Sequence, residues 1–189
     1  MATENKDNSK ALDLALKISD RVNLIDAHLI DCKCELLEFA SNEDNSFEVT
    51  GYTGYKIELE QNNIFVIVHF DLHTVNEDWK EIARIGADFI LAYKADSLDG
   101  LTEDNYLQFA KYNGVFNAWP YWREFVNSMA ARLNLPPLTL NVYRYGMDLP
   151  TESNLLEIAK KKLAKKKVAK KKLAKKKTSK KKVAKKVSR

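Results

Sequence analysis

Residue types able to do chemistry gather in four places. His69, Asp71 and His73 alternate with Phe70 and Leu72, so on a strand all three share one face. Two imidazoles and a carboxylate are a ligand set for iron or zinc. The plainer reading, a solvated strand face in an acidic protein, is favoured, and no metal is expected. Cys32 and Cys34 have the same spacing and fall in an apolar phase, which predicts small buried thiols rather than a ligand pair or redox sensor. Trp119, Tyr121, Trp122 and Phe125 crowd one short segment, with Met129 a turn further on. That surplus means either a surface covered by another chain or a large ordinary core. Lysines fill residues 160–189, among them Lys160, Lys165, Lys170, Lys175, Lys180 and Lys185, and ammonium groups neutralise phosphates without reading sequence. No phosphate loop, nucleophile elbow, zinc-protease helix or dinucleotide fingerprint occurs, so neither a cofactor nor an enzymatic activity is expected.

Elements must hold these groups in place. From Val22 to Leu36 the even positions are mostly apolar, while Asp31, Lys33 and Glu35 occupy odd ones, the mark of a strand with one wet face. Before it, Leu12, Leu14, Leu16 and Ile18 suit either a short helix or an early strand. Residues 40–54 collect Asn, Ser, Asp and Gly around Phe47 and Tyr52, which predicts a long connection. Tyr55–Glu60, Ile64–Thr74 and Trp79–Ala95 follow as strand candidates, and four strands in succession read as an antiparallel meander. Thr102 opens a helix over Glu103–Tyr112. Gly114 is expected to interrupt it, and a second helix starts near Trp119-Pro120, where Pro fits a first turn. Trp122, Phe125, Val126, Met129 and Leu133 then fall on one stripe, and Asn134 with Pro136-Pro137 closes the helix. Strands followed by helices predict an α+β domain, a four-stranded antiparallel sheet with helices packed on one face.

The charge is divided along the chain. Of 31 basic residues, 18 lie in residues 160–189, where there is no acid, and all 26 acids lie before them. The body is therefore near −13 and the tail +18. The tail repeats every five residues, a step that turns a helix by about 140° net. Leu163, Val168, Leu173, Thr178 and Val183 thus spread round the axis, unlike the single apolar face of a membrane-surface helix. An extended coil that becomes helical on an anion is expected. Residues 1–10 are polar, without the apolar core of a secretory signal, and are expected to be disordered. Ile64–Val68 and Phe89–Tyr93, the longest apolar runs, are far short of the ~20 residues that span a bilayer. Two cysteines make no disulfide scaffold, so a reduced cytoplasmic setting is the default. The expected organisation is a disordered 1–10, one domain over 11–150, a short helix or linker over 151–159, and the Lys-rich tail over 160–189.

The segment from Trp119-Pro120-Tyr121-Trp122-Arg123-Glu124 through Arg132-Leu133-Asn134-Leu135-Pro136-Pro137-Leu138 resembles the signature of SecB and SecB-like chaperones. That family has an aromatic-Pro-Tyr-x-Arg-Glu run, an apolar helix, then Arg-x-Gly-x-Pro. The leading Trp resembles the SecB-like branch, which includes chaperones tied to toxin–antitoxin systems. Asn134 replaces the usual Gly, and both residues accept a left-handed cap. The resemblance implies an ATP-independent cytoplasmic holdase that binds unfolded client proteins, working with a translocase motor or an antitoxin. It implies a homotetramer, a dimer of dimers with Trp119, Tyr121, Trp122, Phe125 and Met129 at an interface. It places client grooves by the first long connection, here Phe39, Phe47, Tyr52 and Tyr55. The tail lies outside the resemblance and looks like the Lys/Ala-rich tails of histone-like proteins, fit for DNA, RNA or a ribosome. The alternative is a nucleic-acid-associated architectural or regulatory protein that uses the body only to oligomerise.

Overall fold

The structure, a computed structural model, describes residues 2–38, 46–76 and 80–144, with side chains from Ser9 onward. Phe39 and the tail lysines Lys160, Lys165, Lys170, Lys175, Lys180 and Lys185 lie outside the described residues. So do the expected linker over 151–159 and Trp79.

Helix α1 (Ala2–Ser19) precedes strands β1 (Val22–Leu36), β2 (Ser46–Glu58), β3 (Asn63–Val75) and β4 (Glu81–Ala95). The helix takes in most of the stretch 1–10 that composition marks as disordered. It also settles the Leu12–Ile18 ambiguity: Ala15 and Ile18, three residues apart on one helical face, are both buried. The four strands form one antiparallel sheet in the order β1-β4-β3-β2. This corrects the meander. Strands β2 to β4 follow one another, but β1 lies beside β4, the Greek-key arrangement that needs a longer connection from β1 to β2. That connection is shorter than expected, because β2 begins at Ser46 and takes Phe47 and Tyr52 into the sheet. Alternation is visible there once Gly51 and Gly54 are accepted as strand residues at an edge. Asn62, at φ 50°, provides the left-handed residue that turns the chain into β3.

Even residues of β3 (Ile64, Val66, Val68, Phe70 and Leu72) and odd residues of β4 (Ile85, Ala87, Phe89, Leu91 and Tyr93) share one buried face. Helix α2 (Glu103–Phe109), a π-type turn (Ala110–Gly114) and helix α3 (Val115–Arg132) run on without a break and cover it. At the start of α2 the buried Asn105 accepts hydrogen bonds from Thr102 N–H (2.9 Å) and Thr102 Oγ1 (2.8 Å), and its amide donates to Leu14 C=O in α1 (2.9 Å). One side chain thus caps one helix and ties it to another. Gly114 does not interrupt the helix. A Cβ there would stand 2.5 Å from Val66 Cγ1, so glycine lets the helix approach β3 where the backbone widens. Pro120 accordingly falls inside α3, not at its start, and on an exposed side. There the carbonyl left without an N–H can be solvated, which lessens the usual cost of proline in a helix interior.

The C-terminal end of α3 follows the expectation closely. Asn134 is left-handed (φ 54°), Leu135 N–H donates to Ala130 C=O (2.9 Å) and Asn134 N–H to Ala131 C=O (3.2 Å). Those two bonds are the Schellman pattern, with its apolar contact supplied by the buried Leu135 and Ala130. The chain then returns along α3, where Trp119 Nε1 donates to Asn141 C=O (2.8 Å) and the Tyr143 ring meets Trp119 at 5.4 Å.

Candidate functional site

The sheet's other face carries no helix among the described residues, and cross-strand register lays it out in rows. One row runs Tyr52, His69, Asp88, Asp31. On one side of it lies Gly54, Ile67, Ile90, His28, and on the other Thr50, Asp71, Gly86, Lys33. The first row is polar with an aromatic end. The Gly54 row is apolar at its centre, and open space where a Cβ would sit on Gly54 leaves Ile67 accessible. Tyr52 is 63% exposed, and its ring lies flat on His69, centroids 4.5 Å apart at 18°.

Charge holds the middle of this face. His69 Nδ1 bonds Asp88 Oδ1, and His69 Nε2 meets Asp71 Oδ2 at 3.2 Å. Arg84 donates to both oxygens of Asp71, from Nε at 3.2 Å and from a terminal nitrogen at 2.6 Å. Asp71 is only 5% exposed, and a buried carboxylate persists only when so paired. Glycine makes the room, since a Cβ on Gly86 would lie 2.7 Å from Asp71 Oδ1. Burial pushes the Asp71 carboxyl pKa up, but the hydrogen bonds and charges of Arg84 and His69 prevail and hold it below the usual value. Burial pushes the His69 imidazole down, and the hydrogen bonds to Asp88 and Asp71, with their charges, reverse this and hold it above its usual value. The four side chains border an open cleft of about 330 Å³, with Asp31, Cys32 and Lys33 of β1 on its far side. His73 is occupied separately, its Nδ1 meeting Glu81 at 2.5 Å. His69 and Asp71 are thus held by cross-strand contacts to Asp88 and Arg84, and His73 by one to Glu81, rather than gathered in one shared centre.

Beside this face runs a sheet edge that is open among the described residues. Strand β1 carries two bulges, at Ile25 and Ile30, where each isoleucine has no opposite residue in β4. They are 61% and 47% exposed. Each bulge shifts the phase by one residue, so Ala27 and Leu29 turn to the helix side and Asp26 and His28 to the other. Even-odd alternation across residues 22–36 is thus only locally correct. The thiols are corrected with it: Cys32 is exposed and Cys34 half-buried, because an edge strand is covered less than its neighbours.

The anticipated groove residues on β2 are divided between faces. Phe47 and Tyr55 lie toward the helices, where Tyr55 stacks on Tyr106 at 5.9 Å, and Tyr52 lies opposite. The anticipated interface residues separate too. Trp122 is fully buried against Phe70 (5.2 Å, 15°), while Trp119 and Phe125 meet Phe70 and Phe89. Within the single chain these three build the core. Tyr121 remains 44% exposed and Met129 half-buried. Sequence reasoning missed Ile25, Ile30 and the clamp around His69, and Asp opposite Asp across strands was hidden until register was known. No helix among the described residues is long and apolar enough to cross a membrane.

No family model matches this sequence, and no curated protein does. Among solved structures it is similar to the Mycobacterium tuberculosis Rv1957 SecB-like chaperone, solved in complex with a ChAD peptide from the Rv1956 HigA1 antitoxin. The TM-score is 0.66 at 20% identity over 71% of this chain and 99% of that one. A Streptococcus agalactiae protein of unknown function aligns at a TM-score of 0.36 and 12% identity, over 64% of this chain and 96% of that one. The first likeness establishes a SecB-like fold.

Proposed function

We propose that this protein is an ATP-independent holdase that binds unfolded polypeptides on its exposed apolar surface. The observation that carries this reading is the set of Ile25, Ile30, Ile67 and Tyr52, left open to solvent along one edge and one face of a SecB-like sheet. Apolar surface of this kind holds extended segments without sequence specificity, and a body near −13 keeps the loaded chaperone soluble while drawing in basic segments. The mycobacterial neighbour was solved with an antitoxin peptide, which supports an antitoxin as one client class. A translocase motor is the other partner such a chaperone would serve, and a cytoplasmic setting accords with both.

Assembly as a homotetramer belongs to the same proposal. Strand β1 is long, lacks proline, exposes Leu24, Leu29 and Leu36 as well as its bulge residues, and has one edge unpaired among the described residues. Its two bulges blunt that edge only in part, since apolar residues remain exposed along it. In that assembly a second copy competes with clients for this edge, and Tyr121 with Met129 supplies exposed surface of α3 for a further contact.

The full chain is expected to suppress aggregation of a chemically unfolded client at stoichiometric amounts without ATP. No suppression at several-fold molar excess rejects the proposal. The tail's 18 positive charges favour a second reading, a nucleic-acid-associated protein with a SecB-like body. Removal of residues 160–189 separates the two. Protection that survives while salt-sensitive DNA or RNA binding disappears leaves the tail as an anchor. Loss of every activity with the tail favours the second reading.

A further inference from the structure

We propose that His69 is a proton-operated support for Tyr52, so that client capture on the helix-free face weakens as the solution turns alkaline. This rests on the holdase reading, with Tyr52 as a client contact.

The geometry decides the protonation state. Both ring nitrogens of His69 face carboxylate oxygens, Nδ1 that of Asp88 and Nε2 that of Asp71. A neutral imidazole has one N–H, so one of these contacts would set a lone pair against a carboxylate. Only the imidazolium satisfies both. The Tyr52 ring lies flat over it at 4.5 Å, where a cation beneath the phenol attracts its π face. Tyr52 is thereby fixed as a platform on a strand that, among the described residues, has a hydrogen-bonded neighbour on one side only.

The charges around the imidazole set the direction of response. From β1 come Asp31, directly opposite Asp88, and Lys33; β3 adds Asp71 and His73, and β4 adds Arg84 and Asp88. Tyr52 is the titratable group facing it from β2. When His69 loses its proton, Asp71 retains Arg84. The cleft gains negative charge where Asp31 and Asp88 already oppose each other, a destabilising cross-strand pair. Tyr52 loses the cation beneath it in the same step. The support is fully present below the ordinary imidazole range and disappears as pH rises through the raised value in the folded protein.

Full-length protein carrying labelled His and Tyr, titrated by NMR from about pH 6 to about pH 9 across the imidazole range, tests this directly. The His69 and Tyr52 ring signals are expected to move with one midpoint. Over the same range the dissociation constant for a permanently unfolded, fluorescently labelled polypeptide is expected to rise roughly two- to fivefold, the size of an exposed cation–π contact. In H69Q both pH responses vanish, with circular dichroism confirming that the variant is folded. Tyr52 signals blind to the His69 midpoint overturn the proposal. If they follow it while client affinity stays flat, in the wild type and in Tyr52→Ala alike, Tyr52 is not a client contact, and capture is not regulated here.

Discussion

On β3, Val66, Val68 and Phe70 point to one side of the sheet, and Ile67, His69 and Asp71 to the other. The first set lies under α3 among stacked and edge-on aromatic rings, with Phe70 and Phe89 meeting Trp119, Trp122 and Phe125. The second set meets no helix among the described residues and is tied across strands by His69, Asp71, Arg84 and Asp88. One backbone therefore supports two kinds of surface. Area removed from water stabilises the helix side. Paired charges order the other side without covering it, so Tyr52, Ile67 and the two bulge isoleucines stay available. The proposed holdase reading depends on that division, since a face packed as well as the first would have nothing left to offer a client.

The comparison breaks most visibly at Trp122. Replacing it with alanine removes the largest fully buried side chain and is expected to cost about 3–5 kcal/mol, read as a lower urea midpoint of the full chain. An interface residue would behave differently: Trp122→Ala would then dissociate the assembly at an unchanged unfolding midpoint. The second outcome would overturn the assignment of Trp122 to the core of the single chain.

Asp71 tests the opposite face with a smaller effect. Asp71→Asn keeps the shape but removes the charge that Arg84 and His69 share, and about 1–3 kcal/mol of stability is expected to go with it. The sign with pH is fixed. The carboxyl has a lower pKa in the folded protein than in the unfolded chain, so its stabilisation is complete above the unfolded value. It is lost as pH falls through the folded one. The wild type should therefore lose stability on acidification more steeply than Asp71→Asn. Equal slopes would mean that the clamp holds the face together by shape rather than charge.

Much of this frame was legible in the residues. The stripe from Trp122 to Leu133 placed α3, and Asn134 marked its end through a backbone conformation that few side chains accept. The SecB-like fold was readable from the same stretch, and the α+β order from the strand candidates that precede it. What stayed hidden depends on partners distant in sequence. Two one-residue bulges leave the composition of β1 unchanged, yet they turn Asp26 and His28 away from the helices. Gly114 reads as a break because glycine is a poor helix former, and the neighbour that requires it, Val66, lies on another element. The Trp119–Phe125 surplus had two readings, and the sheet face beneath it takes Trp119, Trp122 and Phe125 into the core while Tyr121 stays exposed. The clamp on His69 needed the register of β3 and β4 before Asp88 could be seen beside it.

The smallest effect on stability should bring the largest change in capture. Ile25 and Ile30 stand at the bulges, largely in solvent, and serine at each is expected to alter unfolding by no more than about 0.5 kcal/mol. A bulge is a backbone feature, and neither side chain has an opposite residue in β4 whose contact would be lost. The double variant Ile25→Ser/Ile30→Ser should thus melt like the wild type and keep its circular dichroism. It should nevertheless protect an unfolded client less well, because apolar area is what such a client binds. The oligomeric mass separates two causes of that loss. Reduced protection at unchanged mass places clients on the β1 edge itself, and reduced protection with a smaller particle places a second copy there. Full protection at unchanged mass would show that the open edge serves neither, and that the helix-free face must hold clients without it.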